Sequence, residues 1–526
     1  MAQINPTVGA LAANRDKISD IIKSQQASHD VIVFPELALT GYPPEDLLFR
    51  KEFHKEVAAH LKEIQNATQD CYVVIGHPVS IDQNTCYNSV SILHQGQIIR
   101  EYHKQKLPNY EIFDEVRYFT PGTKTPCTLE INGYQVGVCI CEDAWQSGPV
   151  EDLIEHGASI ILSINASPFD AHKYHTRETL LKSYAKQGVA LVYVNQVGGQ
   201  DELLFDGQSI AMDSQGMVCA RAAAFHEQLC TVELEGKKLS GPCVPILSQE
   251  ALLYEALVCA TKDYVNKNEF PGVLLGLSGG IDSALTLAIA VDALGAERVH
   301  AVMMPSRYTA QISHEDALSE LEHLSVSHST LSIEPTFNAL ITTLDPIFHG
   351  LPQDITEENM QARIRGLLLM ALSNKTGKMV LTTSNKSESA VGYATLYGDM
   401  CGGFAVLKDV LKTQVYALAR YRNTCSQVIP ERVITRPPSA ELKENQTDQD
   451  SLPEYDVLDA IIVAYMEHDL SPEEIIHQGF SAEEVHRIVR LIKRNEYKRH
   501  QSAPGPKIST TAFGKDWRYP LTNGFS

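Results

Sequence analysis

The sequence predicts an α/β protein of two domains, and three observations carry that expectation. The chain has 526 residues, more than one ordinary hydrophobic core accommodates. Short apolar runs bounded by turn residues recur through its first half, with helical patterns between several of them. At SGPCVPILSQE, around residues 240–252, this alternation breaks, and a second strand–loop–helix series begins beyond it. The expected domains are 1–245 and 246–526.

The apolar runs are VIVFPE (31–36), CYVVIGHP (71–78), YQVGVCICED (134–143), ASIILSINASP (158–168) and VALVYVNQVG (189–198). Each is short, apolar and closed by turn formers, which suits buried strands. DKISDIIKSQQ and FHKEVAAHLKEIQ supply helices between them. In the second half, ALLYEALVCATKDYVNK reads as a helix. VLLGLSGGIDSALTLAIAVDAL reads as a strand, a loop and a long helix, and AERVHAVMMPS as the next strand. That order suits a doubly wound parallel sheet. PPSAELKENQTDQDSLPEYD (437–456) has no periodicity and reads as loop.

Composition narrows the function. A net charge of −21 argues against bulk nucleic-acid binding, which needs a basic face. It does not bear on a local nucleotide pocket. The eleven cysteines show neither a CxxC pair nor zinc spacing, and free thiols fit a reducing compartment. The start, MAQINPTVGA, lacks the pattern of a signal peptide, and no apolar run is long enough to span a bilayer. The expectation is a cytoplasmic enzyme acting on small molecules, with neither nucleic acid nor membrane as partner.

Chemistry-bearing residues stand at or just beyond the strand ends. Glu36 closes VIVFPE, Lys106 lies in HKQKLPNY, and Cys141 lies in GVCICEDAW. A thiol nucleophile needs a base to take its proton and a cation to stabilise charge. Strand alternation leaves Cys139 and Cys141 equally eligible, because they share a face. The segments VIVFPELALTGYPPEDLL, KQKLPNYEIFDEVRYFTPG, GVCICEDAW and NASP resemble the nitrilase, or carbon–nitrogen hydrolase, superfamily over about residues 1–235. The resemblance implies a four-layer αββα sandwich and amide hydrolysis through a thioester. It implies Glu36 as general base, Lys106 as stabilising cation and Cys141 as nucleophile. It selects Cys141 over Cys139 because an acidic pair, Glu142–Asp143, follows. Glu115 in DEVRYF would be a supporting glutamate. For the glutaminase branch it implies Tyr110, Ser167 and Lys173 around the substrate, with Arg177 as an alternative to Lys173.

In the second half, LGLSGGIDSAL follows a strand and opens a helix. Glycines let the backbone approach a phosphate, and N–H groups at a helix start can donate to it. The loop Gly276, Leu277, Ser278, Gly279, Gly280, Ile281, Asp282 and Ser283 lacks GK[ST] and is no Walker A loop. It resembles the pyrophosphatase loop of N-type ATP pyrophosphatases, which adenylate a carbonyl oxygen. ENMQARIRG, LTTSNKSESAVGYATLYGDMCGGF and LKDVLKTQVY resemble the NAD⁺ synthetases over about residues 255–520. This implies ATP at the 276–283 loop, Thr383 and Lys412. It implies deamido-NAD⁺ at Asn359, Arg363, Glu388 and Lys498, and Mg²⁺ at Asp282 and Glu388. Ser439 and Asp399 are further candidates. Leu396 and Gly403 depart from some ammonia-only synthetases, so the substrate pocket would differ in detail. Together the halves resemble glutamine-dependent NAD⁺ synthetases, which implies glutamine, ATP and deamido-NAD⁺ as substrates, Mg²⁺ as cofactor and a homo-oligomer.

Overall fold

The computed structural model describes residues 1–82, 84–236, 238–443, 446–450 and 452–525. The chain folds as two compact units, Met1–Leu247 and Ser248–Ser526.

The first unit stacks two sheets face to face. One contains β1 (Val31–Val33), β2 (Tyr72–Ser80), β3 (Cys86–His94) and β4 (Gln97–His103), in that order. The other contains β5 (Cys127–Ile131), β6 (Tyr134–Ile140), β7 (Ile160–Asn165), β8 (Ala190–Asn195), β9 (Ile210–Met212) and β10 (Val218–Arg221), in the order β10-β9-β8-β7-β6-β5. Alternate residues explain the layering. Val136, Val138 and Ile140 of β6 meet Val74 and Ile92 between the sheets. Cys139 points the other way, among Val150 and Leu153 of helix α3 (Pro149–Glu155) and Leu181 of α4 (Lys173–Ala185). Outside the first sheet lie α1 (Leu11–Gln25) and α2 (Lys51–Ala67), packing Ile18, Ile22, Val57 and Leu61 on Ile32, Val73 and Ile75. The layers are thus αββα. The sequence reading missed β3 and β4. Their hairpin turns at Gln95–Gly96, both with positive φ (48° and 73°), the geometry a tight two-residue turn requires.

The second unit carries a parallel sheet of β11 (Val273–Gly276), β12 (Val299–Met303), β13 (Ser327–Thr330), β14 (Met379–Thr382) and β15 (Phe404–Ala405). Its order is β13-β12-β11-β14-β15. One face packs Leu274, Val302 and Val380 on Ile364 and Leu369 of a long helix, Ile355–Thr376. The helix Ile281–Leu294 packs on β11 and β12. The strand order reverses beside β11, the place where doubly wound sheets open a crevice at their carboxyl ends. The 437–456 stretch is irregular up to a short 3₁₀ turn at Asp448–Asp450 and enters a helix at Tyr455. Within it Glu444, Asn445 and Ser451 lie outside the described residues.

Candidate active sites

In the first unit the reactive groups gather at the carboxyl ends of β1 and β6. Glu36 follows β1 and is fully buried. Gly76 of β2 lets that turn approach: a Cβ there would lie 2.4 Å from the Leu37 nitrogen and 2.8 Å from the Pro35 oxygen. Cys141 begins a 3₁₀ turn immediately after β6 with φ 42°. The left-handed backbone ends the strand alternation, so Cys141 does not follow Cys139 into the helical layer and packs instead with the groups between the sheets. Geometry separates the two cysteines that periodicity could not.

The lysine assignment needs correction. Lys104, not Lys106, enters the cluster. Its Nζ donates to Glu36 Oε1 (2.7 Å) and to both oxygens of Glu115 (2.8 and 3.0 Å), and its side chain is 1% exposed. Lys106 meets this region through its backbone N–H, which donates to Asp143 (2.9 Å), and its side chain is half-buried. The strand supplies the reason. Tyr102 faces the inter-sheet core, and Lys104, two residues on and just past the end of β4, keeps that side. Had β4 been recognised, its alternation would have pointed to Lys104.

The cluster is closely bonded. Glu36 also accepts from Asn88 Nδ2 (2.7 Å) and the Ala166 N–H (2.9 Å). Glu115 accepts from the Tyr42 hydroxyl (2.8 Å). Burial opposes the charge on Lys104, but Glu115 and Glu36 outweigh it and hold its pKa well above the usual range. Burial, opposed by Lys104 and aided by Glu36, pushes Glu115 up to about 7. Burial and then Glu36 push the Cys141 thiol well up, with Lys104 opposing. Thiol, carboxyl and ammonium thus share one buried cluster, the set of groups that thiol-based acyl chemistry requires.

Around this centre, the Tyr110 hydroxyl donates to both oxygens of Glu142 (3.2 and 3.0 Å). Ser167 is buried, and its N–H donates to Asn195 Oδ1 (2.9 Å). Lys173 starts α4 and lies 4.8 Å over the Trp145 ring. Arg177 is committed elsewhere. It pairs bidentately with Asp206 (2.7 and 2.8 Å) and donates to the Ser167 hydroxyl and carbonyl (3.3 and 2.9 Å). It supports Ser167 rather than standing in for Lys173.

In the second unit the loop after β11 bends around a cavity of about 290 Å³. Gly279 has φ 80°, and a Cβ there would lie 2.2 Å from the Ser313 carbonyl oxygen. Ser278 and Ser283 bond each other (3.1 Å), and the Gly280 N–H donates to Ser278 (3.2 Å). Gly276, Leu277, Ser278, Gly280, Ile281, Asp282 and Ser283 line the cavity, with Thr383 and Glu388 following β14. Lys412, nearly fully buried, donates to Asp282 and to Glu388 (3.1 Å). Asp282 also accepts from Asn385 (2.8 Å). Asp448, from the irregular 437–456 stretch, joins this wall and accepts from Tyr455 (2.8 Å). Burial, partly offset by Lys412, pushes Glu388 up to about 8, and Asp282 and Asp448 add to the rise. Two acids, Asp282 and Glu388, share Lys412, with Asp448 on the same wall.

Other expected contacts fall outside this wall. Asn359 accepts from the Thr395 hydroxyl (2.9 Å), and exposed Arg363 donates to the Leu396 carbonyl (3.2 Å). Arg365, two residues further along the helix, lines the cavity instead. Lys498 donates to the carbonyls of Gly392 and Ala394 (2.7 and 2.8 Å) and lines a separate small cavity. Ser439 and Asp399 line the main one.

A buried thiol–carboxylate–lysine centre on an αββα sandwich, joined to a phosphate-loop cavity on a parallel sheet, defines an amidotransferase-type ligase. Comparison with known proteins agrees. The carbon-nitrogen hydrolase family matches residues 1–239 and the NAD synthase family residues 253–502. A glutamine-dependent NAD(+) synthetase of Xanthomonas campestris is 49% identical over 537 residues, 100% of this chain and 97% of that protein. One from Aquifex aeolicus is 44% identical, with 100% and 99% covered. The structure of glutamine-dependent NAD+ synthetase from Acinetobacter baumannii in complex with ADP superposes with TM-score 0.81 at 46% identity, covering 100% of this chain and 98% of that one. The chain belongs to the glutamine-dependent NAD(+) synthetases, a family of carbon–nitrogen ligases.

Proposed function

We propose that the 1–245 domain hydrolyses glutamine at Cys141 and that the 246–526 domain uses the ammonia to amidate deamido-NAD⁺ through an adenylate. The observation that carries this reading is Lys104 bridging Glu36 and Glu115 in the centre that holds the Cys141 thiol. Cys141 Sγ attacks the glutamine carboxamide carbon while its proton passes to Glu36. Lys104 stabilises the developing oxyanion. Glu36 returns the proton to the leaving ammonia, then deprotonates the water that opens the thioester. Glu115 keeps Lys104 charged and placed. Tyr110, Ser167 and Lys173 surround the substrate.

In the second domain the 276–283 loop cradles the ATP phosphates, with Thr383 beside the nucleotide and Lys412 reaching the phosphates. The deamido-NAD⁺ carboxylate attacks the α-phosphorus, pyrophosphate leaves, and ammonia displaces AMP. Asn359, Arg363, Glu388 and Lys498 are the residues assigned to deamido-NAD⁺. Mg²⁺ fits Asp282 and Glu388. Hard carboxylate oxygens face a cavity whose acids exceed its lysine, and one or two carboxylates plus substrate phosphates suit this ion. Bound there, it would neutralise phosphate charge.

A homo-oligomer is supported by the helix Glu334–Phe348, which has no buried residue among those described. It exposes Leu340 and Ile347, next to exposed Leu351 and Ile355. An apolar face of this kind marks an interface. Ile347→Lys is expected to lower the molar mass measured by light scattering. A cytoplasmic location is supported by eleven unpaired cysteines; no helix among the described residues is long and apolar enough to cross a membrane.

The test is NAD⁺ and AMP formation from deamido-NAD⁺, ATP and Mg²⁺ with glutamine or ammonium. Wild type should use both nitrogen sources, and Cys141→Ala only ammonium. NAD⁺ from neither source in the wild type would end the reading.

A further inference from the structure

Two buried acids follow the nucleophile, Glu142, which accepts from Tyr110, and Asp143, which meets none of the substrate-facing groups named above. Asp143 is fully buried, two residues after Cys141. Its carboxylate takes four hydrogen bonds from three directions. Oδ1 accepts from the N–H groups of Gln105 (3.0 Å) and Lys106 (2.9 Å). Oδ2 accepts from the Tyr102 hydroxyl (2.8 Å) and the Ile140 N–H (3.2 Å). Burial pushes its pKa up to about 6 against the pull of these bonds, so at neutral pH it remains an anion with every acceptor site occupied.

The donors have a common meaning. Tyr102 is the penultimate residue of β4 in one sheet, and Ile140 ends β6 in the other. Gln105 and Lys106 directly follow the lysine of the cluster. A single carboxylate thus ties the nucleophile's turn to the segment that carries Lys104, across the gap between the two sheets.

We propose that Asp143 is a positioning residue for glutamine hydrolysis, fixing the Lys104 ammonium relative to the Cys141 sulfur. It touches no substrate and acts through Lys104; the inference rests on the reading of Glu36, Lys104 and Cys141 as the hydrolytic centre. Lys104 lies just past β4, where its own backbone is still held, the N–H donating to the Asn88 carbonyl (2.8 Å) and the carbonyl accepting from the Gly122 N–H (2.8 Å). The next two residues, Gln105 and Lys106, are held to the nucleophile's turn through Asp143. A displacement of about 1 Å at a reacting group can lower a rate about a hundredfold. Aspartate suits the task because it accepts at both oxygens. Asparagine has the same shape but one oxygen. If that oxygen serves Gln105 and Lys106, the amide faces Tyr102, which can reverse its hydroxyl, and the Ile140 N–H, which cannot reverse and loses its acceptor.

Asp143→Asn tests this in the full-length protein. Glutamine hydrolysis is expected to lose about thirtyfold in kcat, within the range expected for a misplaced group, with the glutamine KM changed less than about threefold. Alkylation of Cys141 by iodoacetamide, followed by mass spectrometry, should slow in parallel, because a displaced lysine stabilises the thiolate less. A kcat within about threefold of wild type overturns the proposal. So does a fall in kcat with faster alkylation, which would show a site merely opened. Should Asp143→Asn fail to fold, Tyr102→Phe removes one of the four bonds. It is expected to lower kcat a few-fold at unchanged KM, and an unchanged kcat overturns the proposal. Cys141→Ala, run alongside, tests the underlying reading: glutamine hydrolysis retained there would remove the centre itself rather than its tether.

Discussion

Around Cys141, one lysine is shared by two carboxylates, a third carboxylate accepts four hydrogen bonds, and all of these groups are buried. Around the 276–283 loop, Lys412 is shared by Asp282 and Glu388, five acids and only three lysine or arginine side chains (Lys412, Arg365 and Arg436) line a cavity of about 290 Å³, and burial pushes Glu388 up to about 8. The first site is electrostatically finished before any substrate arrives. The second is short of positive charge. The difference follows from what each reaction brings. A carboxamide is neutral, so the protein must supply base, cation and nucleophile in fixed places. A nucleotide arrives with phosphates and a cation, so its site is completed by binding.

The largest expected effect tests the finished site. Lys104→Met should lower glutamine-driven NAD⁺ formation by about a thousandfold or more, as loss of a member of a catalytic unit does. Lys106→Met should stay within about threefold, since that residue contributes a backbone N–H. The same assay with both variants decides which lysine belongs to the cluster.

A smaller loss, about a hundredfold, is expected for Asp282→Asn in AMP and pyrophosphate release. It should appear equally with glutamine and with ammonium, while glutamine hydrolysis persists. A loss confined to glutamine would mean that the two sites do not divide the chemistry in this way. Gly279→Ala should raise the KM for ATP about tenfold. An alanine at φ 80° costs about 1–2 kcal/mol, and its methyl would press on the Ser313 carbonyl.

The smallest effect concerns stability. Glu320 in the second unit is buried, and neither carboxylate oxygen has a hydrogen-bond partner among the described residues. Burial alone pushes it from the usual 4.5 to about 8. Between those values the folded state binds more protons than the unfolded chain, so stability falls as pH rises. The contribution is fully present below 4.5 and lost through 8. Glu320→Gln should therefore gain over wild type as pH rises across this window, by a few kcal/mol at most, measured by urea unfolding at several pH values. A difference independent of pH would mean that Glu320 has a partner in solution.

Much of this molecule is written locally. Apolar runs ending in Glu36, Cys141 or the 276–283 loop announce strand ends with chemistry beyond them. The glycines of SGGIDS announce a turn that only small residues can make. Those signals are short-range, because strand burial and turn geometry depend on neighbouring residues. The helix–strand alternation and the break near residue 245 likewise pointed to two α/β units.

Other assignments were settled by packing. Choosing Lys104 over Lys106 required the end of β4, a strand with exposed, charged residues that no apolar run marks. Placing Arg177 required Asp206, which lies 29 residues away, and drawing Asp448 to the wall required Tyr455 and the cavity itself. Asp143 read as half of an acidic pair after the nucleophile, and only the approach of β4 to β6 made it a tether. By itself the sequence determined which residue types stand at the strand ends. The tertiary structure decided which of them meet, because hydrogen-bond partners across a sandwich are set by register and twist between strands far apart in the chain.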